Sequence, residues 1–338
     1  MAGNQTFKAR AAAAGRKLFI DAVKTAWELF KVMVPILIAT KILQEIGVVR
    51  YLGIALSPLM RLVGLPGSMG LAWATAIVTN IYGGLAVFAA LAPGESLTVA
   101  QATIVCTMIL VAHALPVELR IAQKAGPRLR AMALLRIISA VVLAFILHQV
   151  YTRGGYLQTP NKMLWAAPPA DPTWLEWAAG QARSLGMIFL IILTLLFVLR
   201  TLEWLGIMSV VTRVLEPALE FLGMSKDAAP ITIIGMTLGL SFGGGLIIQE
   251  ARSGKLSGRD VFFSLALMGL CHSLIEDTVV MSALGAHPSG TLLARVVFSV
   301  AVVYLLVRLI ALVPGEMLRR HFFRPAPGDP AGGSESEA

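Results

Sequence analysis

Residues 260–283 read DVFFSLALMGLCHSLIEDTVVMSA, an apolar run with His272, Glu276 and Asp277 embedded past its middle. A membrane-spanning helix needs about 20 largely apolar residues, because lipid offers no partner to a backbone group that its own helix leaves unpaired. Ionisable side chains inside such a span are costly, so they ordinarily face a bundle interior or water and mark an ion or solute pathway. This stretch predicts a helical membrane protein and also the place where its chemistry sits.

The rest of the chain agrees. Of its 338 residues 57% are hydrophobic and 14% charged, and the mean hydropathy is +0.78, well beyond what a soluble domain keeps at its surface. Apolar runs at 26–48, 70–92, 101–123, 131–151, 184–206, 229–250, 260–283 and 291–314 predict an all-α polytopic membrane protein of about eight transmembrane helices. No stretch is rich enough in mixed helix and strand patterning to be an added catalytic domain, and HExxH, GxSxG and cysteine–histidine ligand spacings are missing, so no enzyme activity is expected. No cofactor and no resident metal is expected either. Cys106 and Cys271 each sit in an apolar run and read as small core residues.

The formal charge of +9 comes from basic residues crowded at the ends of apolar runs, where they anchor helices, so no nucleic-acid partner is expected. Residues 1–25 mix Lys8, Arg10, Arg16, Lys17 and Lys24 with Phe7, Leu18, Phe19 and Val23, the pattern of a basic amphipathic helix on a lipid surface rather than of a signal peptide. A Pro- and Trp-containing segment, 152–183, reads as an interfacial connector between halves at 26–151 and 184–315. Residues 316–338 read as a disordered cytoplasmic tail.

The halves resemble each other at a fixed spacing. Pro58 and Pro217 lie 159 positions apart, each followed by a glycine six residues on, and His113-Ala114-Leu115 and His272-Ser273-Leu274 repeat at the same 159. Paired halves with Gly-interrupted helices are the organisation of secondary transporters, whose sites lie between repeats. The basic loop at Lys124, Arg128 and Arg130 and the uncharged Gly285–Gly290 loop occupy equivalent places, an opposition that suggests inverted repeats. Inversion requires an odd number of crossings between equivalents, which puts a hidden re-entrant segment near 50–67, 83–93 or 164–180. Basic residues at 252–259 and 319–324 place those turns, and both termini, in the cytoplasm.

Two groups of residues carry the candidate chemistry. In the first, His272 and Glu276 are four apart and share a helix face, Asp277 follows, and His113 with Glu118 forms the repeat-related pair around Pro116, where helical bonding should break. In the second, Asn80, Tyr82, Gly83 and Gly84 face Ser241, Gly243, Gly244 and Gly245, with Gln249 and Glu250 close behind; unwound backbone there would offer N–H and C=O groups to a ligand. His148 and His287 read as interfacial, and Arg136, Arg200 and Arg308 as snorkelling side chains.

The Gly-rich helix, the polar turn and the His-Ser-Leu-Ile-Glu-Asp-Thr segment, with its weaker His-Ala-Leu-Pro-Val-Glu partner, resemble the nucleoside-recognition or Gate domain of bacterial membrane proteins. That group includes spore maturation proteins A and B and the Gate segments of ferrous iron and concentrative nucleoside transporters. The resemblance spans roughly 30–150 and 185–315. It implies an inner-membrane secondary transporter for a small polar solute, nucleoside-like or other, coupled to a proton or cation, with membrane lipid and a second copy of the chain as further partners. A divalent-cation permease and a non-transporting membrane partner are the alternatives it leaves open. The absence of a GTPase domain sets the chain apart from ferrous iron transporters of the usual form.

Overall fold

The computed structural model describes residues 7–164, 173–206, 213, 217, 219, 222, 224, 225, 227–238, 247–250, 256–312 and 322. These are helices and turns, and the protein is an all-α polytopic membrane protein. In the first half, α1 (Phe7–Glu45) runs unbroken through the expected boundary at residue 25. It is followed by α2 (Val48–Leu62), α3 (Met69–Val78), α4 (Ile81–Leu91), α5 (Val99–Val111), α6 (Leu115–Ala125) and α7 (Leu129–Gly154). In the second half come α8 (Trp174–Trp204), α9 (Ala228–Leu238), α10 (Gly258–Leu270), α11 (Leu274–Ala283), a π-helical turn (Ser289–Ala294) and α12 (Arg295–Ala311).

Local chemistry sets the helix ends. Thr98 and Ser257, 159 positions apart, each open a helix with a reciprocal capping box, Thr98 with Gln101 and Ser257 with Asp260. The expected span 70–92 is split, and the interruption falls at Thr79–Asn80, just ahead of the glycines. Asn80 is extended and its Oδ1 accepts the Gly83 N–H at 2.9 Å, so a good capping residue and not the glycine pair starts the new helix. The helix α2 is not one of the eight expected spans, because Arg50, Pro58 and Arg61 interrupt its apolar run; most of it falls in 50–67, one of the stretches where inversion of the repeats places an additional segment. Its hairpin with α3 closes where a Cβ on Gly67 would stand 2.1 Å from the Gly53 carbonyl oxygen.

Spans 101–123 and 260–283 are split as well, each into two half-helices: α5 and α6, and α10 and α11. The joints match. Ala112 (φ −136°, ψ 88°) and Cys271 (φ −147°, ψ 66°) end the first halves, and Ala114 (φ 48°, ψ 30°) and Ser273 (φ 48°, ψ 44°) start the second halves in the left-handed region. Non-glycine residues rarely adopt that conformation, so a break repeated with closely similar angles is held by its surroundings. Pro116 is not the breaking residue; it sits in the first turn of α6, where a missing N–H costs nothing.

Among the described residues, four stretches are long and apolar enough to cross a membrane: the two broken ones, α7, and the π turn with α12. The broken helices are mostly buried. By contrast α7 exposes Leu134, Ile138 and Phe145, and the other stretch exposes Leu293, Val297 and Leu305, the faces that lipid would cover.

The broken helices run in opposite directions. At the start of α5, Val99 and Ala100 donate to the carbonyls of Thr159 and Leu157 at 2.9 and 2.8 Å. The same strap reaches the end of α11, where Asn161 Nδ2 donates to Leu284 O and the Leu164 N–H to Ala283 O, both at 2.9 Å. The His287 N–H also donates to Thr103 Oγ1 at 2.8 Å. The start of α5 therefore lies beside the end of α11, while the two joints meet each other. Equivalent elements that pass antiparallel are related by inversion of direction, as the loop charges suggested.

Candidate functional site at the two helix joints

His113 and His272 occupy the joints. Each donates its Nδ1–H back to a carbonyl of the preceding half-helix, Ile109 O at 2.9 Å and Met268 O at 2.7 Å. With Nδ1 committed, both Nε2 atoms face inward and lie 3.3 Å apart. Glu118, in the first turn of α6, adds Oε1 at 3.4 Å from each Nε2. All three residues are buried, and their ligand-bearing atoms lie within 4.8 Å of one another, a group able to hold a metal ion or share a proton.

Two arginines complete the arrangement. Arg136 on α7 donates Nε to Val111 O at 3.0 Å and pairs through Nη1 with Glu118 Oε2. Arg295 at the start of α12 donates Nε to Leu270 O at 3.0 Å and Nη2 to His272 O at 2.8 Å, with Nη1 3.8 Å from Asp277 Oδ2. A broken helix frees carbonyls at the end of its first half, and in lipid each would be costly; the guanidinium groups satisfy them and place a cation at a negative helix end. Arg136 is not a snorkelling side chain. It is 1% exposed and Arg295 is fully buried, an expense met only by their carboxylate partners and the carbonyls they cap.

These contacts correct the pairing expected from sequence. The equivalent of Glu118 is Asp277, 159 positions on and likewise facing a buried arginine, whereas Glu276 matches Val117, which is exposed. The expected His272–Glu276 contact along one helix does not form, because Ser273 turns the chain between them. Glu276 instead lies 3.5 Å from the hydroxyl of Tyr82, which joins α4 to α11.

The other expected site residues divide. Asn80 caps α4, and Gly83 and Gly84 are buried inside that helix. A Cβ on Gly84 would meet Ala76 Cβ at 2.6 Å, so Gly84 permits close packing onto α3, and one on Gly83 would meet Thr79 Oγ1 at 2.3 Å at the joint between α3 and α4. Gln249 is exposed and Glu250 half-buried on the helical turn 247–250. Ser241, Gly243, Gly244 and Gly245 lie outside the described residues. Arg295 is a site residue that hydropathy alone does not single out. Its signal was available: each arginine follows its acidic partner by 18 residues, Glu118 to Arg136 and Asp277 to Arg295, inside an apolar run.

A bundle built from two antiparallel, broken-helix repeats with ionisable residues at the joints is a polytopic membrane protein with a polar centre. Residues 26–128 match the family model described as Gate, nucleoside recognition. The chain is 28% identical over 293 residues to the uncharacterized membrane protein YvoD of Bacillus subtilis (strain 168), covering 84% of this chain and 92% of that relative. No solved structure matches the chain.

Proposed function

We propose that this protein is a secondary transporter that moves a small polar solute across the bacterial inner membrane by alternating access. One observation carries the reading: the half-helices α6 and α11 both begin at the meeting point of His113 and His272, so two positive helix ends converge where the repeats touch. Such ends attract anionic or electron-rich groups of a solute. Residues that touch their own repeat equivalents lie next to the axis relating the repeats, where rocking of one repeat against the other opens a centre first to one side and then to the other. Asp277 Oδ2 and Arg295 Nη1 face each other at 3.8 Å and have no hydrogen-bond partner among the described residues, which leaves donor and acceptor capacity there for water or solute.

In this reading Glu118, Asp277 and Glu276 supply acceptors, the two imidazoles take up or release a coupling proton or cation, and Tyr82 links α4 to the centre. The description of the matching family model makes nucleosides the first solutes to try. Both termini lie in the cytoplasm, as a cysteine at Ser334 that resists external labelling in intact cells would support. The test of function is uptake into proteoliposomes of a panel of nucleosides, amino acids, polyamines and divalent ions. Saturable uptake of one class above protein-free vesicles supports transport, and no uptake of any class favours a non-transporting membrane partner.

A further inference from the structure

We infer that His113, His272 and Glu118 form a binding site for a divalent transition-metal ion of the zinc class, shared between the two repeats. The argument starts from lone pairs. Both imidazoles spend their Nδ1–H on backbone carbonyls, so in the neutral ring each Nε2 presents only a lone pair. Arg136 holds Glu118 by Oε2, which leaves Oε1 as a third acceptor. Three acceptors thus converge, with separations of 3.3, 3.4 and 3.4 Å. Electron pairs that converge repel unless a cation lies among them.

The dimensions select the cation. Ligand atoms bound at 2.0–2.1 Å in a tetrahedron stand about 3.3–3.4 Å apart, which the observed triangle matches on every edge. An octahedral magnesium site at 2.0–2.1 Å would need edges of about 2.8–3.0 Å and an all-oxygen donor set. Two imidazole nitrogens with one carboxylate oxygen suit zinc, ferrous iron or cobalt, and leave a tetrahedral ion one position for water or solute. The outer layer is also that of a metal centre. Each ligand is aimed by a second group, a carbonyl for each imidazole and a guanidinium for the carboxylate, which fixes both tautomer and direction.

The inference deepens the transport reading and rests on it for the role of the ion; the binding itself is measurable without transport. Full-length protein stripped with chelator, in detergent, is titrated with Zn2+ and with Co2+. The expected results are stoichiometric binding, the intense visible bands of tetrahedral Co2+, and X-ray absorption showing two imidazoles with N/O ligands at about 2.0–2.1 Å. His113→Gln and His272→Gln should each weaken binding by at least about ten-fold, while His148→Gln and His287→Gln leave it unchanged. Melting curves on the same samples identify any variant that fails to fold, and the absorption spectrum of the wild-type protein then decides. Overturning results are no stoichiometric ion in the wild-type protein, proton uptake alone at this site, or an ion whose binding neither histidine substitution alters. A bound ion without uptake of any solute overturns transport and leaves the site; solute uptake by wild-type protein that binds no stoichiometric ion overturns the site and leaves transport.

Discussion

Arg136 and Arg295 stand 159 positions apart in the chain and make the same bond, each Nε donating at 3.0 Å to the carbonyl two residues ahead of a joint histidine. The repeat is therefore conserved in side-chain chemistry as well as in backbone course. Each buried guanidinium closes a half-helix and faces a carboxylate from the half-helix that follows.

The first prediction concerns that pairing. Replacing Arg136 by Met strands Glu118 in the interior, and removing one member of a buried pair typically costs about 3–5 kcal/mol. The double variant Arg136→Met/Glu118→Met should recover much of that loss, because neither charge is then buried alone. Thermal melting in detergent measures both, and a double variant as unstable as the single one would contradict the account.

The second separates two neighbouring acids. Asp277→Asn should lower the melting temperature, since Asp277 faces Arg295, whereas Glu276→Gln should leave it within a few degrees, because among the described residues Glu276 makes only the long Tyr82 contact. The reverse order would contradict the assignment of Asp277 as the carboxylate that Arg295 needs.

The third concerns the joint. Ala114 is in the left-handed region, where a side chain costs about 1–2 kcal/mol, so Ala114→Gly should stabilise the protein by roughly 1 kcal/mol. In a continuous helix the same change would destabilise it by about as much. The sign of the shift in melting temperature decides between a broken and a straight helix.

Much of this was legible in the sequence. Hydropathy identified the membrane class, and the spacing between His113 and His272 identified the repeat and the two residues at its centre. The joints were not legible from local rules, since Pro116 lies past the first break and the second has no proline at all; tertiary bonds from Arg136 and Arg295 hold both. Arg136 reads as a snorkelling side chain because an isolated basic residue in an apolar run is ordinarily a helix-end anchor, and only the matched spacing of Arg136 to Glu118 and of Arg295 to Asp277 marks the two arginines as partners. Gly83 and Gly84 resembled a helix break, but the Asn80 cap makes the break and the glycines serve packing.

The central claim is that the cluster joining the repeats is where solute or coupling ion binds, and His272→Ala tests it most directly. The substitution removes the imidazole but keeps the backbone carbonyl that Arg295 holds, so the fold should survive. Melting temperature and proteoliposome uptake are measured on the same preparation. The account predicts a melting temperature within a few degrees of the parent protein and uptake reduced to the level of empty vesicles. Uptake that persists in the folded variant, or that falls only in proportion to lost folded protein, would contradict it.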